Sequence, residues 1–278
     1  MRALLAAHGL RPTRALGQNY LVDPNTARKI VRLAEVEPGE TVLEIGPGLG
    51  SLTLALRRAG ARVVAVEADE RLLPALAEAI GDDPGVRVVA GDALRLDLAG
   101  LAPDARKLVA NLPYNLAATL VLEVLTSYPS YQRLTVMVQR EVGERLAASP
   151  GSGAYGATSV KVAALAEARL LARIGRKVFL PEPHVDSVLV GLRRRPHPAI
   201  QGLPWPVLDR TIEAAFSQRR KTLRNSLRTL GLDQHEVEAL GHAARVDLGL
   251  RAERLDVAAF AALAAALRRM PAFLDRHG

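Results

Sequence analysis

From residue 41 to about residue 148 the chain alternates short, nearly unbroken apolar runs with longer stretches of helical spacing. No other feature restricts the fold as much. TVLEI (41–45), RVVAV (62–66), VRVVA (86–90), KLVAN (107–111) and RLTVMV (133–138) read as strands. LTLALRRA (52–59), ERLLPALAEAI (70–80), LAATLVLEVL (116–125) and REVGERLAA (140–148) lie between or after them with apolar residues at helical intervals. A strand that is apolar on both faces must be covered on both faces, so the pattern predicts a parallel sheet sandwiched by helices. Asp23-Pro24 supplies an N-cap and a first-turn proline for an earlier helix, through about Ala34.

The later chain changes character. SPGSGAYGATS (149–159) reads as a loop, and ARLLARI (168–174) and SVLVGLRRR (187–195) as two strands pairing at one edge of the sheet. RPHPAIQGLPWP (195–206) carries four prolines in twelve residues and reads as a linker. VLDRTIEAAF (207–216), KTLRNSLRTL (221–230), HEVEALGHAA (235–244) and VAAFAALAAALRRM (257–270) are helical by spacing. The expected organisation is an α/β domain over 1–198, with an amino-terminal helical extension, and a small helical domain over 199–278.

Charge is distributed unevenly along the 278 residues. The formal net charge is +8, with 6 Lys+Arg against 2 Asp+Glu in residues 1–35, 16 against 16 in 36–180 and 15 against 11 in 181–278. A neutral body with basic ends points to a polyanionic partner. Scattered surface arginine is the blander reading. The chain has no cysteine, which excludes disulfides, thiolate metal sites and cysteine nucleophiles. The six histidines lack metal-ligand spacing, so no metal is expected. No run is apolar enough to span a membrane, and MRALLAAHGLRP lacks a cleavage pattern, so a cytoplasmic protein is expected.

Glu44-Ile45-Gly46-Pro47-Gly48-Leu49-Gly50 follows the first apolar strand and opens a helix. Glycines there let the backbone turn sharply and approach a ligand closely. Ser51 stands where a dinucleotide fingerprint wants glycine, and no lysine completes a P-loop. The G-x-G-x-G spacing behind an acidic residue is that of an adenosine-binding methyltransferase loop. A glycine-rich connection with no ligand remains the alternative. Glu67 closes the second strand, where a carboxylate can accept both ribose hydroxyls, and Asp92 follows the third, within reach of an adenine amine. Nothing there calls for a pyrophosphate, which favours S-adenosylmethionine over a dinucleotide.

Asn111-Leu112-Pro113-Tyr114 closes the fourth strand. The lone pair on an exocyclic adenine nitrogen is delocalised into the ring, so this amine is a poor nucleophile. Acceptors on the Asn111 side chain and the Leu112 carbonyl can favour a more tetrahedral nitrogen, and Pro113 stiffens the loop without adding an N–H. Tyr114 offers a ring on which an extruded base can stack. The competing reading is a strand-end turn with a packing tyrosine.

These motifs resemble those of the KsgA-type 16S ribosomal RNA adenine N6,N6-dimethyltransferase family. The resemblance runs through LGQNYLVD (16–23), VLEIGPGLGSLT (42–53), VEAD (66–69), GDAL (91–94), NLPYN (111–115), VFLPEPHVDSVLV (178–190), AFSQRRKTLRNSL (215–227) and LRAERLDVAAFAAL (250–263). It implies a Rossmann-like, seven-stranded S-adenosylmethionine-dependent methyltransferase sheet with a helical carboxyl-terminal domain. It also implies the substrate: two adjacent adenosines in the 3′-terminal hairpin loop of 16S rRNA within the immature 30S subunit, dimethylated during ribosome biogenesis. By motif, Asn19 and Leu21 line the methionine side of the cofactor site, and Gly46, Glu67, Asp92 and Asn111 complete it. The residue pattern alone makes Gln18-Asn19 only a loop before a helix. Tyr20 stands where the family usually has Phe, and Ala117-Ala118 replace small hydroxyl residues.

Arg219, Arg220, Lys221, Arg224 and Arg228 read as a basic helical stretch, with positions 220, 224 and 228 on one face. Contact with rRNA phosphates is the expected role, a solvated face the alternative. Two other functions stay in view: methylation of large-subunit rRNA, and a non-enzymatic assembly factor of the same fold. Intact Glu67, Asp92 and Asn111–Tyr114 weigh against the second. Nothing in the pattern demands more than a monomer.

Overall fold

Among the residues described by the computed structural model (2–10, 19–196, 200 and 202–270), nine strands form. In chain order they are β1 (Tyr20–Leu21), β2 (Thr41–Ile45), β3 (Arg62–Glu67), β4 (Val86–Ala90), β5 (Lys107–Asn111), β6 (Arg133–Gln139), β7 (Ala166–Ile174), β8 (Phe179–Leu180) and β9 (Ser187–Arg194). Seven of them make one sheet in the order β4-β3-β2-β5-β6-β9-β7. The first five run parallel, and β9 enters antiparallel to β6. β7 lies beside β9 at the edge, as the sequence predicts, although residues 175–186 between them contain β8 rather than a tight turn.

The chain leaves β2 for β3 on one side and later returns to β5 on the other. A crevice opens at such a reversal, outside the carboxyl ends of the strands. Register aligns those ends: Ile45 faces Val66, Glu67 faces Ala90 and Asn111 faces Met137. Val42, Val63, Ala65 and Val109 from the strands pack with Ala27, Ile30, Leu52 and Leu56 from the helices Pro24–Leu33 and Ser51–Arg58. The first of these helices starts as expected, with Asp23 Oδ2 accepting the Thr26 N–H at 2.8 Å and Pro24 in the first turn. VRVVA reads as buried, yet β4 is an outer strand with Arg87 and Ala90 exposed.

Contacts divide the chain into two units, 1–144 with 168–194, and 145–167 with 195–278. The expected single boundary at 198/199 differs from this division, and residues 197–199 and 201 lie outside the described set. The difference arises in residues 145–167. Tyr155, Val160 and Ala164 are buried among Leu208, Ile212 and Phe260 of the helical unit. The Tyr155 hydroxyl donates to the Leu255 carbonyl at 2.8 Å, and Lys161 pairs with Asp209 at 2.6 Å. The glycine- and serine-rich stretch predicts a loop as far as residue 159 and no helix there, whereas Ala157–Leu165 is helical. That helix buries Ser159, Val160, Val162, Ala164 and Leu165, so it lacks the polar face that makes a helix legible.

Candidate active site

The carboxyl ends of β2, β3 and β5 and the loop after β4 enclose a cavity of about 270 Å³. It is lined by Asn19, Gly46, Glu67, Asp92, Asn111, Leu112, Pro113 and Tyr114, so eight residues expected from sequence come together. Leu21 does not line it. Its side chain is buried with Ala27, Leu52 and Phe179, and its carbonyl accepts the Ser51 hydroxyl at 2.5 Å. Gln18 lies outside the described residues.

The glycine loop and Glu67 build one wall. Glu67 is 6% exposed, with Oε2 accepting the Gly48 N–H at 3.0 Å and Oε1 the Asp69 N–H at 2.9 Å. Gly48 has φ +56°, and a Cβ there would stand 3.0 Å from the Tyr20 ring. A side chain at 48 would therefore strain the backbone and push on the ring beside it. Burial raises the Glu67 carboxyl above the ordinary carboxylate range, and the two backbone N–H groups pull it back. Asp69, also in the lining, is taken by Arg71, whose Nη2 lies 2.7 Å away. After the neighbouring strand β4, Asp92 Oδ1 accepts the Leu94 N–H at 3.0 Å.

The other wall is the turn after β5. Leu112 N–H donates to the Met137 carbonyl at 3.1 Å and fixes the backbone there. Asn111 Nδ2 donates to the Asn19 carbonyl at 3.0 Å, which aims the amide and leaves its oxygen as an acceptor. Asn19 is held in place because β1 pairs antiparallel with β8, Tyr20 opposite Leu180, and Val22 N–H reaches the Val178 carbonyl at 2.8 Å. Two-residue strands carry no periodicity, so this ribbon was not legible from spacing. Tyr114 is half-buried, and its hydroxyl lies 2.8 Å from Ser187 Oγ.

Beneath the glycine loop, Glu44 is buried, with Oε2 accepting the Thr53 hydroxyl at 2.7 Å. Oε1 has no partner among the described residues. Burial first, then the nearby Glu67 charge, pushes the Glu44 carboxyl up to about 8 from an ordinary value of 4.5. Over that window the folded chain holds a proton that the unfolded chain has lost, so stability falls as pH rises from 4.5 to about 8. Thermal melts should therefore show Glu44→Gln gaining on the parent as pH rises from about 5 to about 9. A constant difference across that range would refute the buried proton.

In the helical unit, the basic stretch departs from its expected form. Arg219 and Arg220 lie in a turn, and the helix begins only after Thr222, over Leu223–Ser226, continuing as a 3₁₀ turn over Leu227–Leu230. The Leu223 and Arg224 N–H groups bond to the Leu250 and Leu248 carbonyls, which fixes the start there and removes the expected 220/224/228 face. Arg224 Nε pairs with Glu238 Oε1 at 2.5 Å, while Arg219, Arg220 and Lys221 are exposed without a carboxylate partner among the described residues.

Comparison with known proteins agrees with this geometry. The family model described as ribosomal RNA adenine dimethylase matches residues 10–268. The chain belongs to that family. The chain is 49% identical over 270 residues to ribosomal RNA small subunit methyltransferase A of Thermobifida fusca, covering 95% of this chain and 93% of that one. It is 41% identical to the protein of the same name from Moorella thermoacetica, covering 96% of each. Among solved structures, a dimethyladenosine transferase from Plasmodium falciparum shares the fold, with TM-score 0.72 and 24% identity over 87% of this chain and 95% of that one. The 23S rRNA methyltransferase ErmE matches with TM-score 0.65 and 28% identity, over 90% of this chain and all of that one.

The protein is an enzyme that uses S-adenosylmethionine, and the cavity suits that cofactor. A buried carboxylate at the end of β3 suits a ribose diol, and Gly48, bonded to Glu67, lines the cavity with backbone alone. No helix among the described residues is long and apolar enough to cross a membrane, and no cluster of His, Asp or Glu among them has the form of a metal site.

Proposed function

We propose that this enzyme dimethylates N6 of two adjacent adenosines in the 3′-terminal hairpin loop of 16S rRNA, within the immature 30S subunit. It would act as a monomer in the cytoplasm. The observation that carries the reading is the juxtaposition of Asn111–Tyr114 with Glu67 and Asp92 around one cavity. Higher identity to small-subunit methyltransferases, 49% against 28% for the 23S enzyme, favours the small subunit over the large.

Residue roles follow from position. Glu67 would hold the ribose hydroxyls, Asp92 the adenine amine, and Asn19, Gly46 and Asn111 the methionine side of S-adenosylmethionine. The bound cofactor supplies an electrophilic methyl group on a sulfonium. The Asn111 side-chain oxygen and the Leu112 carbonyl would accept the target N6 hydrogens and aim the nitrogen lone pair, while Pro113 keeps the turn rigid. Tyr114 would stack on the base. Alignment supplies most of such a reaction's acceleration, and no covalent intermediate with the chain is needed. Incubation of immature small subunits with labelled cofactor, followed by mapping, tests the reading.

For the RNA grip, Arg219, Arg220 and Lys221 are the favoured phosphate contacts, because Arg224 is committed to Glu238. Replacing the first three with alanine should flatten the salt dependence of RNA binding by a log–log slope of about 2–3, at roughly 0.7–0.9 per phosphate contact. Arg224→Ala should change that slope little. Titrations from low to moderate salt check both, and an equal effect of Arg224 would contradict the assignment.

A further inference from the structure

Stacking needs the ring of Tyr114 but not its hydroxyl, and the structure gives that hydroxyl a specific partner. Ser187 Oγ lies 2.8 Å from it, and Ser187 is 0% exposed. The serine is the first residue of β9, two places from β5 in the sheet, so it reaches Tyr114 from a different part of the chain. Its own backbone is pinned. Ser187 pairs in register with Gln139, and the Arg140 N–H donates to the neighbouring Asp186 carbonyl at 3.0 Å.

A phenol fixed only at its backbone can change rotamer and swing its ring. One that is also bonded at the hydroxyl is held at both ends of its lever. We propose that Ser187 is a positioning residue for the methyl transfer: its buried hydroxyl anchors the far end of the Tyr114 side chain, keeping the ring from swinging away and, through that ring, holding the target adenine in place. The inference rests on the stacking role of Tyr114. Ser187 does not line the cofactor cavity and reaches it only through Tyr114, the residue assigned to the base, so its loss should change cofactor binding little. Burial raises the Tyr114 hydroxyl above its ordinary value, against the opposing Ser187 hydrogen bond, so the phenol stays protonated at neutral pH. One hydroxyl donates to the other and neither bears charge.

The test is a double-mutant cycle in the full chain, with Ser187→Ala, Tyr114→Phe and the pair assayed on immature small subunits. Each single variant should lose roughly 5- to 50-fold in kcat/KM, mostly in kcat, with the S-adenosylmethionine Kd within about twofold of the parent. The double variant should be no worse than the poorer single, because both remove the same bond. Ser187→Thr, which keeps a hydroxyl, should recover much of the rate. Multiplying losses in the double variant, or parent-like turnover in Ser187→Ala, would overturn the proposal. If Ser187→Ala does not fold, the Tyr114→Phe arm decides alone, and parent-like turnover there would overturn it. Tyr114→Ala separates the two levels: parent-like activity in that variant refutes stacking itself, whereas its inactivity beside an active Ser187→Ala refutes only the tether.

Discussion

Tyr114→Ala is expected to bind S-adenosylmethionine with nearly unchanged affinity and to lose methylation of rRNA almost completely. Base–aromatic stacking contributes roughly 1–3 kcal/mol per base, or about 5- to 150-fold in population of the stacked base. The loss in turnover should exceed that range, because an unstacked base also leaves the Asn111 and Leu112 acceptors unused and the nitrogen misaligned. Tyr114 lines the cavity but is assigned to the base and to no part of the cofactor, which is why cofactor affinity should survive. Isothermal titration with the cofactor and single-turnover methylation measure the two quantities separately. Equal loss in both would mean that the ring packs against the cofactor instead of the base.

Glu67→Ala should show the opposite pattern, with cofactor affinity falling first. A hydrogen bond to a charged acceptor contributes about 1.5–3 kcal/mol, so losing two to a ribose diol costs roughly 100-fold or more in Kd. The variant also strips the Gly48 and Asp69 N–H groups of their acceptor, which loosens the turn around the ligand. Saturating cofactor should restore much of kcat, since Glu67 touches neither the methyl nor the base in this account. The ionised carboxylate is the form that accepts both ribose hydroxyls, and burial raises its proton affinity. Cofactor affinity in the parent should therefore be full at high pH and fall as pH drops through that raised pKa. The fall begins above the range of an ordinary glutamate, and Glu67→Ala should lack it.

The sheet was readable because its strands are buried on both faces and its helices on one, so periodicity changed visibly at each junction. The ends of β2, β3 and β5 were readable for a related reason: glycine, carboxylate and asparagine interrupt apolar runs where the chain leaves the sheet. What spacing missed was assembled at long range. Asn19 enters the site through the β1–β8 pairing, which joins residue 20 to residue 180 and leaves no local signature. The Arg219–Lys221 turn looked helical because its neighbours are helix formers. Backbone bonds from residues 223 and 224 to carbonyls at 250 and 248 decided otherwise. Ala157–Leu165 escaped because its five buried residues include Ser159 and leave no continuous polar stripe.

Ser187 belongs to the same class of omission. It sits in the VDS segment that the sequence marks by resemblance, yet only the antiparallel entry of β9 beside β6 brings its hydroxyl to Tyr114. Its partner, Tyr114 in the turn after β5, is 73 positions away in the chain.

The measurement that tests the account most directly is transfer of labelled methyl groups from S-adenosylmethionine to immature small subunits, with every modified nucleotide mapped. The expected product is N6,N6-dimethyladenosine at two neighbouring positions of the 3′-terminal hairpin loop of 16S rRNA and nowhere else. Label confined to large-subunit RNA, or no label at all with a folded, cofactor-binding protein, would contradict it.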